Sequence, residues 1–192
     1  DCRPRTTTSR TLAAGTLAGG DRLDVIGRRR VRDVVVRGLQ SRGEPSAALG
    51  PVTRAALNLR GVSAEEIRRG DVLITPGAWD TTRTLDVRRV SGAVFTEAPA
   101  QLTVHVGTAA VSARLRPFDD DHARVVLDRG LPLVLGDRLV LRQPGGRGLG
   151  GAQVLDADPP ALRRRGDSAR RAGALAGLDA HGDILVEVGR RG

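Results

Sequence analysis

Short segments rich in Val, Leu and Ile recur along this 192-residue chain and constrain its fold more than any other feature. Turn residues interrupt them about every 8–12 positions, which favours an all-β sandwich or barrel over alternating strands and helices. Leu102, Val104 and Val106 fall on one face of such a segment. Thr103 and His105 fall on the other, as in a half-buried strand. The predicted strands cover residues 23–26, 31–36, 55–59, 72–74, 85–90, 101–106, 110–115, 123–127, 138–141 and 151–155.

A Gly-Asp pair precedes an apolar strand at Gly20, Gly70 and Gly136. Glycine allows positive φ and aspartate bonds the local backbone, so the pair is typical of a tight turn. Thr75-Pro76-Gly77 follows the second copy and resembles a hinge. The sequence therefore predicts two consecutive small β-barrels, residues 1–75 and 76–157, and a short basic helical segment at 158–192.

Helix is predicted at few places. Ser63 and Glu66 have the spacing of a capping box around one short turn. After Pro159-Pro160, residues 161–165 and 169–178 are predicted to be helical. A last apolar stretch, residues 184–188, is interpreted as the first element of a truncated domain.

The basic residues number 31, and all are arginine, which gives a formal net charge of +9. Residues 1–75 hold 14 arginines against 8 acidic residues, so positive charge is concentrated there. This distribution favours contact with a polyanion, most simply a nucleic acid. No apolar run approaches the roughly 20 residues of a membrane span, and the single cysteine, Cys2, excludes an internal disulfide.

Candidate catalytic motifs are few. A P-loop is excluded because the chain has no lysine. Residues 146–151 match the G-x-G-x-x-G pattern, but a strand and two prolines follow, so a hairpin is favoured over a nucleotide site. His105, His122 and His181 lack metal-ligand spacing, and no nucleophile-elbow signature is present. Asp119-Asp120-Asp121 is interpreted as an exposed turn, with a cation site as the alternative.

Two basic clusters are candidates for RNA backbone contacts. The first is Arg28, Arg29 and Arg30, which also fits a solvated hairpin tip. The second is Arg163, Arg164 and Arg165, with Arg170-Arg171 nearby.

Three pieces of the first half carry a more specific signal: residues 31–41, 53–62 and 65–73. Together they resemble the second domain of a translational GTPase, and in detail the bacterial selenocysteine-specific elongation factor, a relative of elongation factor Tu. Residues 105–111 and 136–142 are similar to the third domain of that family. The resemblance departs at Ser9-Arg10-Thr11, where the family usually has a glycine between two threonines.

The resemblance implies two barrels of the domain II/III type that bind aminoacyl-tRNA in selenocysteine incorporation. Arg54 matches a position of the aminoacyl pocket, and Arg37, Gly38, Leu39 and Gln40 would lie near the terminal adenosine. A fixed arginine can distinguish an ionised selenol from a serine hydroxyl by charge.

The implied partners are selenocysteyl-tRNA and the ribosome, for a monomeric cytoplasmic protein without membrane contact. A messenger RNA insertion element would be reached only through C-terminal domains that the chain lacks. No cofactor is expected in this chain, because GTP and Mg²⁺ would belong to a GTP-binding domain that it also lacks. The chain is therefore predicted not to be an enzyme by itself. The alternative function is an inert remnant or structural packing module without RNA binding of its own.

Overall fold

The structure is a computed structural model that describes residues 6–12, 14–27, 30–145 and 148–178. Two compact units divide the chain, one up to Trp79 and one from Asp80 onward. Strands dominate both, so the all-β prediction is confirmed. Among the residues just given, no helix is long and apolar enough to cross a membrane.

The first unit is built on an antiparallel sheet with the strand order β1-β7-β4-β3-β8. Strand β5 pairs with β4, and β2 pairs with β6 outside the sheet. The core contains Leu17 from β2 and Leu49 from β6 together with side chains of the sheet, such as Val36 and Leu57. The strands are β1 Thr6–Leu12, β2 Leu17–Ala18, β3 Arg22–Ile26, β4 Arg30–Ser41, β5 Glu44–Ser46, β6 Ala48–Leu49, β7 Thr53–Arg60 and β8 Val72–Ile74.

Strand β1 forms in spite of the unusual Ser9-Arg10-Thr11 sequence. All seven of its residues pair with β7, from Thr6 opposite Leu59 to Leu12 opposite Thr53. The altered residues therefore leave the backbone pairing of this strand intact.

A β-bulge at Arg37 changes which residues of β4 face the core. Val36 lies opposite Leu59 and Gly38 lies opposite Asn58, so Arg37 is the extra residue on β4. Val36 and Leu39 are both buried, three positions apart rather than two. Because one inserted residue inverts the alternation of a strand, the bulge turns Leu39 inward and leaves Gly38 on the outer side.

The second unit is a closed barrel with the strand order β10-β11-β12-β9-β14-β13. Strand β11 shows the alternation most clearly, since Val111, Ala113 and Leu115 are buried while the residues between them are exposed. The core is aliphatic apart from Phe95. The strands are β9 Thr82–Gly92, β10 Gln101–Val106, β11 Ala109–Pro117, β12 His122–Leu131, β13 Arg138–Arg142 and β14 Gly148–Asp156.

Glycines let β9 and β14 approach closely in this barrel. Gly150 pairs with Gly92. A Cβ atom added to Gly150 would lie 2.0 Å from the Ser91 carbonyl oxygen, and one added to Gly92 would lie 2.1 Å from that of Leu149. The glycine-rich pattern at 146–151 therefore serves strand contact at Gly150, although Gly146 and Arg147 lie outside the described residues.

The prediction of helix at 161–165 is wrong. These residues form a coil and turn, and the helix α1 Asp167–Ala176 begins only after Gly166, whose φ is 89°. The Asp167 carboxylate accepts the backbone N–H groups of Arg163 and Arg164, at 2.7 and 2.6 Å, and holds them in a turn. These hydrogen bonds, the one from Arg164 foremost, lower the pKa of Asp167.

Helix at 169–178 is confirmed in its main part, since α1 covers 169–176. The short turn near Ser63 is a 3-10 helix, Ala64–Glu66, and the Ser63 N–H donates to Glu66 Oε2 at 2.8 Å as a capping box requires. The stretch 184–188, like His181 and Cys2, lies outside the described residues.

Candidate nucleic-acid interface

The outer face of β4 and β7 brings several predicted site residues together. Ala55, Leu57 and Leu59 point into the core, so Arg54 and Asn58 point outward on the same strand. Across the ladder, Gly38 lies opposite Asn58 and Gln40 lies opposite Ala56. These four residues lie on one outer face of the sheet. Arg54 lies on the same face, two residues before Ala56 on β7. We call Arg54, Ala56, Asn58, Gly38 and Gln40 the β4–β7 face.

Space is open above Gly38 on this face. A Cβ atom added to Gly38 would meet no atom within 4 Å. Arg37, in the bulge beside it, and Gln40 are both exposed. A planar ligand could therefore lie on Gly38 with polar side chains at its edges.

Leu39 differs from its neighbours in β4. Its side chain is 3% exposed and packs in the core of the first unit. Only the backbone of Leu39 is therefore available on the outer side of the strand.

The residues of the two basic clusters are not brought together in the way that those of the β4–β7 face are. Arg28 and Arg29 lie outside the described residues, and Arg30 is the first residue of β4. Arg163, Arg164 and Arg165 are exposed in the turn that precedes α1. This turn in the second unit therefore presents three cations to solvent.

Arg171, by contrast, is buried and cannot contact RNA, which corrects its placement with the basic cluster. Its Nε donates to Asp86 Oδ2 at 2.6 Å, and its Nη2 donates to Asp156 Oδ2. Arg124 also binds Asp86, at 2.7 and 3.0 Å, and donates to the Pro160 carbonyl oxygen at 2.8 Å. Two arginines and two aspartates thus form a buried ionic cluster without net charge beneath α1.

Sequence reasoning missed this cluster because it treats charged residues as solvent-exposed. Asp86 and Arg124 point away from the barrel interior, on β9 and β12, and they pair directly across the ladder. The helix covers them, with Leu175 packed on Leu155. A single strand pattern gives no sign that a later helix will bury its outer face.

The acidic run at Asp119–Asp121 is a hydrogen-bonded turn rather than a converging set of ligands. Asp119 accepts the backbone N–H of His122 at 2.6 Å and contacts its Nδ1 at 3.0 Å. Asp121 binds Arg89, and Asp120 accepts the Thr96 hydroxyl. Burial raises the pKa of Asp119, but the hydrogen bonds outweigh it and leave that pKa below its ordinary value. Within the described ranges, no three His, Cys, Asp or Glu side chains are placed to hold a metal.

Comparisons with known proteins find similarity to translation elongation factors. Residues 91–161 match the family of the selenocysteine-specific elongation factor, β-barrel domain. The selenocysteine-specific elongation factor of Escherichia coli (strain K12) is 30% identical over 157 residues, which are 81% of this chain and 25% of that protein. Elongation factor Tu 2 of Streptomyces avermitilis is 31% identical over 159 residues, which are 75% of this chain and 40% of its own length.

The solved structures show the same fold. A crystal structure of bacterial selenocysteine-specific elongation factor EF-Sec superposes with a TM-score of 0.74 at 24% identity, over 93% of this chain and 29% of that one. The chain thus spans a quarter to two fifths of the length of the curated relatives it matches. The matched residues of the second unit, 91–161, therefore belong to the β-barrel domain family of the selenocysteine-specific elongation factor.

Proposed function

We propose that this chain supplies the aminoacyl-tRNA-binding barrels of a selenocysteine-specific elongation factor and acts with selenocysteyl-tRNA on the ribosome, in the cytoplasm. The observation that carries the proposal is the β4–β7 face, where the register sets Gly38 opposite Asn58 and Gln40 opposite Ala56, with Arg54 next on that face. We take the bound amino acid to be selenocysteine because the similar proteins are named selenocysteine-specific elongation factors.

Arg54 would distinguish the amino acid by charge. A selenol is a stronger acid than a thiol, so it is largely ionised at neutral pH, whereas a serine hydroxyl is not. The guanidinium keeps its charge at any pH at which the protein functions. A charge-assisted hydrogen bond of this kind contributes about 1.5–3 kcal/mol, or roughly ten- to a hundredfold in affinity.

The basic turn before α1 would add affinity without selectivity for the amino acid. The turn exposes three arginines, Arg163, Arg164 and Arg165. The acidic residue nearest to them in sequence is Asp167, within four residues. Arginines that contact phosphates release counterions, so their contribution falls as the salt concentration rises.

We propose that the described residues of this chain do not bind GTP. The segment that matches a nucleotide-binding pattern continues into β14, and no helix N-terminus follows it to receive a phosphate. We therefore propose that tRNA binding by this chain requires no cofactor of its own.

Arg54→Ala should lower the affinity of the chain for selenocysteyl-tRNA by about tenfold or more, because a charge-assisted contact is lost. Its affinity for seryl-tRNA should change much less. Filter binding at low salt measures both. The matched control is Arg60→Ala, since Arg60 is an exposed arginine at the other end of the outer side of β7. Binding of neither tRNA would instead support a structural packing module without RNA binding of its own.

Gly38→Val should weaken binding of charged and uncharged tRNA equally, because its side chain would occupy the space proposed for the terminal adenosine. The fold should tolerate it, since an added Cβ meets no atom within 4 Å. Thermal unfolding and filter binding together test this. Gly148→Val is the control, on a strand of the second unit with equally open space. Unchanged binding by Gly38→Val would place the adenosine elsewhere.

A further inference from the structure

Two residues with unfavourable backbone conformations lie at one end of the β4–β7 ladder. Arg42 has φ of 53° and Val52 has φ of 59°. Residues with a side chain rarely adopt this left-handed region, and such exceptions concentrate at functional sites. Asp33 is the third such residue that the structure describes, and its N–H donates to Asp24 Oδ1 in a bulge that accounts for it.

Arg42 occupies a turn position that suits other residues. Ser41 pairs with Glu44, so Arg42 and Gly43 form the two-residue loop of a hairpin, both with positive φ. Asparagine or glycine is preferred at the first position of such a turn. An arginine there costs stability, and its side chain is exposed rather than packed in the core.

Arg42 also lies beside Arg54. The last pair of the ladder is Ser41 opposite Ala55. Arg42 follows Ser41, and Arg54 precedes Ala55. Because the two strands are antiparallel, both arginines therefore lie just beyond the same end of the ladder. Like charges at such positions repel each other. Within the part of the chain that the structure describes, Arg42 forms no ion pair, whereas Arg54 has an interaction partner of its own.

Val52 completes this end of the sheet, two residues before Arg54. It is 88% exposed, although it is apolar and β-branched. Its N–H donates to the Leu12 carbonyl oxygen at 2.7 Å, which holds the turn against the end of β1. A second unfavourable backbone conformation is thus maintained at the same place.

We infer that Arg42 and Arg54 together hold one anionic group of the acceptor end of an aminoacyl-tRNA. The inference rests on the proposed function and assigns to it a second cation, supplied by the hairpin between β4 and β5. The anion is either the ionised selenol of the amino acid or a phosphodiester next to the terminal nucleotide. An anion between the two guanidinium groups turns their repulsion into attraction for the ligand.

The test is Arg42→Asn, compared with the wild-type chain and with Arg69→Asn. Asparagine tolerates positive φ, so Arg42→Asn should raise the melting temperature by a few degrees. It should also lower the affinity for selenocysteyl-tRNA by about tenfold. Arg69→Asn removes one charge from another exposed turn of the same unit and should change neither quantity as much.

Three tRNA states distinguish the anions in filter binding. A loss confined to selenocysteyl-tRNA supports the ionised selenol as the ligand. An equal loss for selenocysteyl-, seryl- and uncharged tRNA supports the phosphodiester. If Arg54→Ala weakens binding but Arg42→Asn does not, the inference is overturned and the proposed function stands. If the wild-type chain binds none of the three, both are overturned. A lower melting temperature for Arg42→Asn would also overturn the inference, because the turn would then not be unfavourable for arginine.

Discussion

Gly150→Ala is expected to destabilise the second unit by about 3 kcal/mol or more, because the added atom collides with backbone. The new Cβ would lie 2.0 Å from the Ser91 carbonyl oxygen, 2.9 Å from its carbon and 3.0 Å from the Gly92 Cα. No side-chain rotation relieves a contact of this kind. Strands β9 and β14 would have to separate, and both belong to the closed barrel.

Calorimetric unfolding measures the effect, which should be a drop in melting temperature of about 10 °C or more for the second unit. The first unit should unfold as before. Gly148→Ala is the matched control on the same strand, because its added Cβ meets no atom within 4 Å. Equal melting temperatures for the two variants would mean that β9 and β14 do not approach each other as closely as described.

The strands could be predicted from sequence because their signal is local. Alternation along β11 and the turn residues around it depend only on neighbouring positions. The same alternation places Arg54 on the outer face of β7, next to buried Ala55. Most of the fold and one end of the candidate site therefore follow from periodicity.

Periodicity fails where one extra residue or a distant element intervenes. Alternation from Val34 and Val36 would turn Leu39 outward, but the bulge at Arg37 buries it. Arg171 is predicted to lie in a basic cluster that contacts RNA, yet its partners are 85 and 15 residues earlier in the chain. The close contact at Gly150 depends on the register of two strands that are far apart in sequence.

Arg171→Leu is expected to cost the second unit about 3–5 kcal/mol, because it leaves an uncompensated charge in the buried ionic cluster. If α1 stayed docked, Asp86 would keep Arg124 as a partner, but Asp156 would lose the charge of Arg171. Both carboxylates would remain covered by the helix. Leu175 makes the main buried apolar contact of α1, with Leu155. Undocking of the helix, which lets water reach the carboxylates, is therefore the least costly response.

Adding Asp156→Asn to Arg171→Leu should restore much of the lost stability of the second unit. The comparison distinguishes the effect of the unpaired charge from the effect of lost side-chain packing. The double variant leaves Arg124 with Asp86, a cluster again without net charge, and the new amide oxygen could still accept the Asp158 N–H that Asp156 accepts at 3.0 Å. Hydrogen exchange of the α1 amides and calorimetry of the second unit measure docking and stability. Asp128→Asn, an exposed change on β12, is the control. If the double variant is as unstable as Arg171→Leu alone, α1 is held by the stem and the hydrogen bonds of Arg171 rather than by charge balance, since both of these are missing from each variant.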